Sequence, residues 1–231
     1  ALSGTPLDNI KQQCYEVENF YTKVNLLAHL IEDKDTYQKV LVFVASKRHA
    51  DRVFDNLEEQ FGSELAVIHS NKSQNYRIRS IEQFEEGVNR VLIATDVMAR
   101  GLDLNQITHV INFDTPTFAE NYMHRIGRTG RAEQEGNSVL FFTEKEEEHK
   151  LEIEQLMDYE IPEMDFPDEV DISQELTPEE RPNTDGASTY NRTSKIKDPN
   201  PGFHEKKEKN MKENQGSTFK RKMKAKYKKP K

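Results

Sequence analysis

Between Lys11 and about Asp158, short apolar runs rich in β-branched residues alternate with longer segments whose apolar residues recur every three or four positions. This alternation constrains the fold more than any other feature. Lys39–Ala45 (KVLVFVA) has the continuous apolar character of a strand buried on both sides. Ser46–Phe61 follows, with Ala50, Val53, Phe54, Leu57 and Phe61 at helical spacing and Gly62 where a helix stop belongs. Leu65–His69 reads as the next strand. Ser73–Glu86 reads as a helix capped by Ser73, with Ile78, Ile81 and Phe84 on one face and Gly87 after its end. Arg90–Ala94, Thr108–Phe113 and Asn137–Phe142 read as further strands, and Asn19–Glu32 and Glu144–Met157 as helices. Strands separated by helices imply parallel pairing, because a parallel connection needs a crossover. The expected architecture is α/β: three layers, a parallel sheet with helices on both faces. Ligands of such sheets bind at the loops leaving the carboxyl ends of the strands, so residues just after each strand are the first functional candidates.

The pattern fades after Met157. Residues 144–180 hold 16 Asp and Glu against two Lys, with Pro162, Pro167 and Pro178 in the second half. Residues 161–181 are expected to be an acidic linker. From 182 to 231 there is no apolar periodicity, and a disordered basic tail is expected, since few apolar groups are present to offset the ordering entropy. The net charge of −8 conceals this division: residues 191–231 carry 15 Lys and Arg against 4 Asp and Glu, a net +11, whereas residues 1–190 carry 18 against 37, a net −19. Basic tails commonly contact nucleic acid. The single cysteine, Cys14, excludes an intrachain disulfide and cysteine-cluster metal sites. No run approaches the roughly 20 apolar residues of a membrane-spanning helix.

Four segments hold chemistry-bearing residues. His124–Arg131 (HRIGRTGR) places arginines at 125, 128 and 131 with Gly127 and Gly130 between them. The glycines predict a helix end where guanidinium groups crowd a phosphate, and planar, permanently charged guanidinium suits the charge of a transferring phosphoryl group. A salt-bridged surface helix or a simple phosphate-backbone contact would use the same residue types. Ala94–Leu104 (ATDVMARGLDL) puts Thr95 and Asp96 at a strand end, with a turn at Arg100-Gly101 before Asp103. A carboxylate there can accept from ribose hydroxyls, and glycine permits close backbone approach; alone, the segment reads equally as a capped turn. In His69–Arg77 (HSNKSQNYR), Gln74 and Arg77 are three apart at a helix start and point the same way, as in a phosphate site. Ser46 and Lys47 end the 39–45 strand, where they can cap the next helix or touch a nucleic-acid backbone.

In this order and spacing the four segments resemble the C-terminal recombinase-like domain of DEAD-box RNA helicases, over roughly residues 15–160. VFVASK resembles motif IV of that family. HSNKSQNYR resembles its Gln-x-x-Arg element, with Ser70 where glycine is usual. ATDVMARGLD resembles motif V, with Met98 where a small residue is common. VINFDTP, residues 110–116, resembles the following segment, and HRIGRTGR matches motif VI throughout. The resemblance implies a P-loop-NTPase-type second helicase domain that acts in ATP-driven local RNA unwinding. It implies Arg128 and Arg131 as arginine fingers, Gly101 and Asp103 beside the nucleotide, and His124 and Arg125 as residues coupling two domains. Gln74, Arg77 and Thr95 would contact RNA phosphates, with Ser46 and Lys47 as additions.

No G-x-x-x-x-G-K-[ST] loop and no Asp-Glu-Ala-Asp string occurs. The family keeps these on a preceding domain, and Thr5–Val17 resembles the segment that follows that domain, so residues 1–14 are expected to be a linker remnant. ATP with Mg²⁺ is the expected cofactor, the metal held mainly by the N-terminal helicase domain. RNA and that domain are the expected partners, with no membrane, in a cytoplasmic monomer. The chain alone is expected not to hydrolyse ATP. Phosphate contacts alone leave DNA open as a substrate. In the tail, Phe219 and Tyr227 lie among eight Lys and Arg from Lys220 to Lys231, a composition suited either to tethering RNA or to solubility.

Overall fold

The computed structural model describes residues 9–99, 102, 104–130 and 135–181. Six strands form one wholly parallel sheet: β1 (Ile10–Glu16), β2 (Val40–Val44), β3 (Leu65–Ile68), β4 (Val91–Thr95), β5 (His109–Asn112) and β6 (Gly136–Phe142), in the order β1-β6-β5-β2-β4-β3. The helices are α1 (Phe20–Glu32), α2 (Lys47–Phe61), α3 (Gln74–Glu85), α4 (Asp96–Ala99), α5 (Ala119–Ile126) and α6 (Glu147–Met157).

Alternate residues of each strand feed cores on the two faces. Val40, Val42 and Val44 of β2 pack with α1 and α2. Leu41 and Phe43 of the same strand pack on the other face with Phe84 of α3 and Ala99 of α4. Beside them, Cys14, Tyr122, Ile126, Leu140 and Ile153 join β1 and β6 to α5 and α6. The three expected layers are therefore present. The expected caps at Ser46 and Ser73 form, accepting from the amides of His49 and Tyr76, and Asn19 caps α1 in the same way through the Thr22 amide.

Three differences from the sequence reading have physical reasons. β1 is a strand although IKQQCYE is largely polar, because Ile10, Cys14 and Tyr15 are buried in the cores and the buried Gln12 accepts from the Tyr122 hydroxyl, leaving only Lys11 and Glu16 exposed. Ile78, expected on the buried face of α3, is 45% exposed. Steps of three residues fall short of a helical turn, so the stripe set by Phe84 has rotated away from Ile78. The third difference concerns residues 161–181, which pack on the domain instead of leaving it.

The chain reverses after α6 at Asp158, whose φ of 52° lies in the left-handed region. Pro162–Met164 then lie along the free edge of β1: the Cys14 amide donates to Pro162 O (2.9 Å) and the Met164 amide to Cys14 O (2.9 Å). Further on, Asn19 Nδ2 donates to Ser173 O (2.6 Å), the Phe20 amide to Glu180 Oε1 (2.7 Å), and Arg52 pairs with Glu179 (3.2 Å). Ile161, Val170 and Thr177 are buried. The segment is a strap held by isolated anchors, which is why no periodicity announces it. The expected tail (182–231) and most of the expected linker remnant lie outside the described residues. Among the described residues no helix is long and apolar enough to cross a membrane.

Candidate nucleotide and nucleic-acid interface

All six strands run the same way, so the loops after them gather along one edge of the sheet. Arg125 is the hub of that edge and is only 2% exposed. Its Nε and Nη2 donate to the two carboxylate oxygens of Asp96, each at 2.7 Å. Its Nη1 donates to Asn112 Oδ1 (3.2 Å) and to Asp114 O (2.8 Å), and the guanidinium lies 5.1 Å from the centre of the Phe43 ring. One side chain thus ties α5 to the loop after β4 and to the end of β5. Bidentate charge-assisted bonds of this kind are the strong ones.

The helix ends at Ile126, with Gly127 at its C-cap, and that break sorts HRIGRTG into two sets. Arg125, Ile126 and Thr129 point inward, Thr129 donating to Ile107 O at 2.6 Å. His124 is exposed. Arg128 is half-buried and its Nη1 donates to Leu102 O (3.0 Å), which joins it to the loop after β4. Gly130 has a φ of +66°, and a Cβ there would stand 2.8 Å from Ile10 Cγ1, so the turn out of the motif admits only glycine. A small groove is lined by Phe43, Asp96, Ala99, Asn121, His124, Arg125 and Arg128. Gly101, Asp103 and Arg131 lie outside the described residues.

The order β2-β4-β3 brings the loops after these three strands side by side. Ser46 caps α2 through the His49 amide (3.1 Å), and Lys47 Nζ donates to Asn71 Oδ1 (3.1 Å). Thr95 is the half-buried last residue of β4, in register with Val44. In the first turn of α3, Arg77 Nη2 donates to Gln74 Oε1 and Nη1 contacts Met98 Sδ at 3.2 Å. The sequence-selected residues Ser46, Lys47, Gln74, Arg77 and Thr95 therefore share one stretch of the edge, and His124 and Arg128 border the groove beside it. Arg125 differs: its described partners all lie inside the domain.

A pair that sequence reasoning passed over sits at the same edge. Asp114 Oδ2 accepts from the Ala45 amide (2.7 Å) and lies 2.9 Å from His49 Nδ1. The hydrogen bond to Asp114 raises the His49 pKa against the opposing effect of burial. Burial disfavours ionisation of Asp114, but the His49 hydrogen bond, the charge of Lys23 and the Ala45 amide together hold its carboxyl below the usual range. Neither residue has a spacing that links it to the other, since 65 residues separate them. Among the described residues no group of three or more His, Cys, Asp or Glu is gathered as metal ligands.

An all-parallel sheet in this order, with arginines and a strand-end Thr-Asp pair converging on its carboxyl edge, defines a recombinase-like helicase domain. The model of the helicase conserved C-terminal domain matches residues 22–133. The C-terminal domain of the DEAD-box protein Dbp5 superposes with a TM-score of 0.61 at 32% identity, covering 68% of this chain and 91% of that one. The chain belongs to the DEAD-box RNA helicases, as their C-terminal helicase domain. ATP-dependent RNA helicase DBP2 of Chaetomium globosum is 44% identical over 117 residues, 51% of this chain and 21% of that protein. DEAD-box ATP-dependent RNA helicase 14 of Arabidopsis thaliana is 40% identical over 136 residues, 59% and 22% respectively. The chain thus spans about a fifth of the length of these curated relatives. Helicase domain 2 of Mss116p, solved bound to an RNA duplex, superposes with a TM-score of 0.61 at 27% identity, covering 69% of this chain and 65% of that one.

Proposed function

We propose that this chain is the C-terminal half of an ATP-dependent RNA helicase and completes an ATP site whose nucleotide pocket lies on a partner domain of the same protein. The observation that carries the reading is Arg128, set at the mouth of a groove and bonded to the loop after β4, next to the arginine and hydroxyl groups around Arg77 and Thr95. The residue types are compatible with a nucleotide's phosphates, because Asn121, His124 and Arg128, all of which line the groove, carry nitrogen donors. When bound, ATP supplies the phosphoryl group transferred to water, and Mg²⁺, held mainly by the N-terminal domain, neutralises phosphate charge.

The roles of the residues follow from their chemistry. Arg128 and Arg131 are fingers that stabilise charge on the phosphoryl oxygens. Gly101 and Asp103 hold the ribose side. His124, being exposed, meets the partner domain, and Arg125 transmits that contact by fixing the loop after β4. Ser46, Lys47, Gln74, Arg77 and Thr95 grip RNA through phosphate and sugar, which positions a strand without reading its sequence. Because ATP and RNA each bridge two domains, each favours closure and so favours the other. The chain alone is a monomer that does not hydrolyse ATP. Its natural setting is the cytoplasm.

The test is RNA-stimulated ATP hydrolysis by the full-length protein. Arg128→Ala lowers turnover on the order of 10³-fold while RNA binding is retained. Unchanged turnover refutes the finger assignment and leaves an RNA-binding module. For residues 182–231 we propose RNA tethering: their deletion weakens RNA binding and flattens its salt dependence, and an unchanged salt slope excludes that role.

A further inference from the structure

Arg77 is a cation without a carboxylate partner among the described residues. Nη2 donates to the amide oxygen of Gln74 and Nη1 to the thioether sulfur of Met98 at 3.2 Å, while Nε is buried with no acceptor. A thioether is a weak acceptor and an amide oxygen a neutral one. Burying a guanidinium donor with no partner is costly, and such groups are ordinarily satisfied. A guanidinium left this incompletely satisfied is prepared for an anion, to which its bonds would be short and charge-assisted.

Met98 is where this arrangement becomes particular to the chain. It lies in α4, directly after β4, and its side chain packs on the core formed by Phe84, Leu92 and Ala99. Arg77 lies one turn into α3, after β3. The sulfur contact therefore spans two separate segments that the sheet order β4-β3 makes neighbours. A small residue at 98 would leave Nη1 with no acceptor and leave the long arginine free to sample other rotamers. The anchored thioether removes that freedom before any ligand arrives.

We propose that Met98 is a positioning residue, its sulfur holding the Arg77 guanidinium so that α3 and the loop after β4 act as one phosphate-binding unit. The inference rests on the reading above that this edge grips the RNA backbone. It differs from packing alone in a specific way: the effect of Met98 passes through Arg77.

The experiment measures single-stranded RNA affinity of the full-length protein across a series of salt concentrations. The variants are Met98→Leu, Met98→Gln, Arg77→Ala and the double variant Met98→Leu/Arg77→Ala. Leucine keeps the volume and removes the acceptor; glutamine restores an acceptor on a side chain of similar length. Met98→Leu is expected to weaken binding about three-fold with the thermal midpoint unchanged, and Met98→Gln to recover most of that loss. Arg77→Ala weakens binding on the order of ten-fold and lowers the salt slope by about 0.7. The double variant binds no worse than Arg77→Ala. If Met98→Leu binds as wild type, or weakens binding equally in the Arg77→Ala background, the positioning role is wrong while the RNA reading stands. If Arg77→Ala changes neither affinity nor slope, the RNA reading of this edge fails, and the positioning role fails with it.

Discussion

Replacing Arg125 with alanine tests whether motif VI holds the domain together as well as meeting another one. The substitution deletes both bonds to Asp96, the bonds to Asn112 Oδ1 and Asp114 O, and the stacking on Phe43. Breaking a buried pair by removing one partner costs about 3–5 kcal/mol. The Asp96 side chain is 28% exposed, so water can solvate the abandoned carboxylate and the lower end of that range applies. Asn112 and Asp114 are buried and cannot be reached as easily, and each orphaned acceptor adds about 1 kcal/mol. The expected loss is about 5 kcal/mol, a large fraction of the stability of a domain. Arg125→Lys keeps a charge but cannot span the carboxylate and both oxygens, and should lose about 2 kcal/mol. Urea unfolding of the chain, followed by circular dichroism, reads these values as shifts of the midpoint at constant slope. In the Asp96→Asn background the penalty of Arg125→Ala should shrink by about 2 kcal/mol. A loss under about 1 kcal/mol for Arg125→Ala would refute the clamp and leave Arg125 with interdomain coupling as its only role.

Ending the chain at Glu160 should cost about 4 kcal/mol or more, because it strips Ile161 and Val170 from the core. Cys14 reports the same event. Burial pushes its thiol up to about 12, so the intact protein resists a disulfide reagent in native buffer, whereas the shortened chain should react at once. Ending it at Arg181 should leave Cys14 protected, and equal labelling of the two would show that the strap does not shield β1. His109 predicts a pH dependence. Burial lowers its pKa from 6.5 to about 4, so as pH falls the unfolded chain takes up the proton first, and stability is lost between those values. Between pH 7.5 and 5 the wild type should lose about 2 kcal/mol more than His109→Gln. His49, with a raised pKa, acts oppositely: its contribution is full below pH 6.5 and fades as pH rises through the folded-state value. Parallel pH profiles for wild type and His109→Gln would remove the argument for His109.

Much of the fold was legible because its strands and helices are written in periodicity. KVLVFVA can only be a strand with cores on both sides, and Asn19, Ser46 and Ser73 stand where helix starts need an acceptor. β1 escaped notice because an outer strand is half polar. The strap escaped because Ile161, Val170 and Thr177 are anchors spaced nine and seven residues apart, with no period to detect. At the site, the string HRIGRTGR named its residues but not their directions. The glycines announced the helix end, but not that Arg125 would be buried against Asp96 while Arg128 stays half-buried and bonds Leu102 O.

Local chemistry along the chain was therefore sufficient for the α/β class, the approximate bounds of α1, α2, α3 and α6 and the residues to suspect, though not for α4 and α5, since periodicity and capping act over a few positions. Which of those residues meet was decided only by the order β1-β6-β5-β2-β4-β3. Arg125 reaches Asp96 across 29 positions, Arg77 reaches Met98 across 21, and His49 reaches Asp114 across 65. The physical reason is that a buried guanidinium or carboxylate must find its counterpart wherever the packed sheet places it, and a partner set by packing leaves no mark in the spacing of either residue.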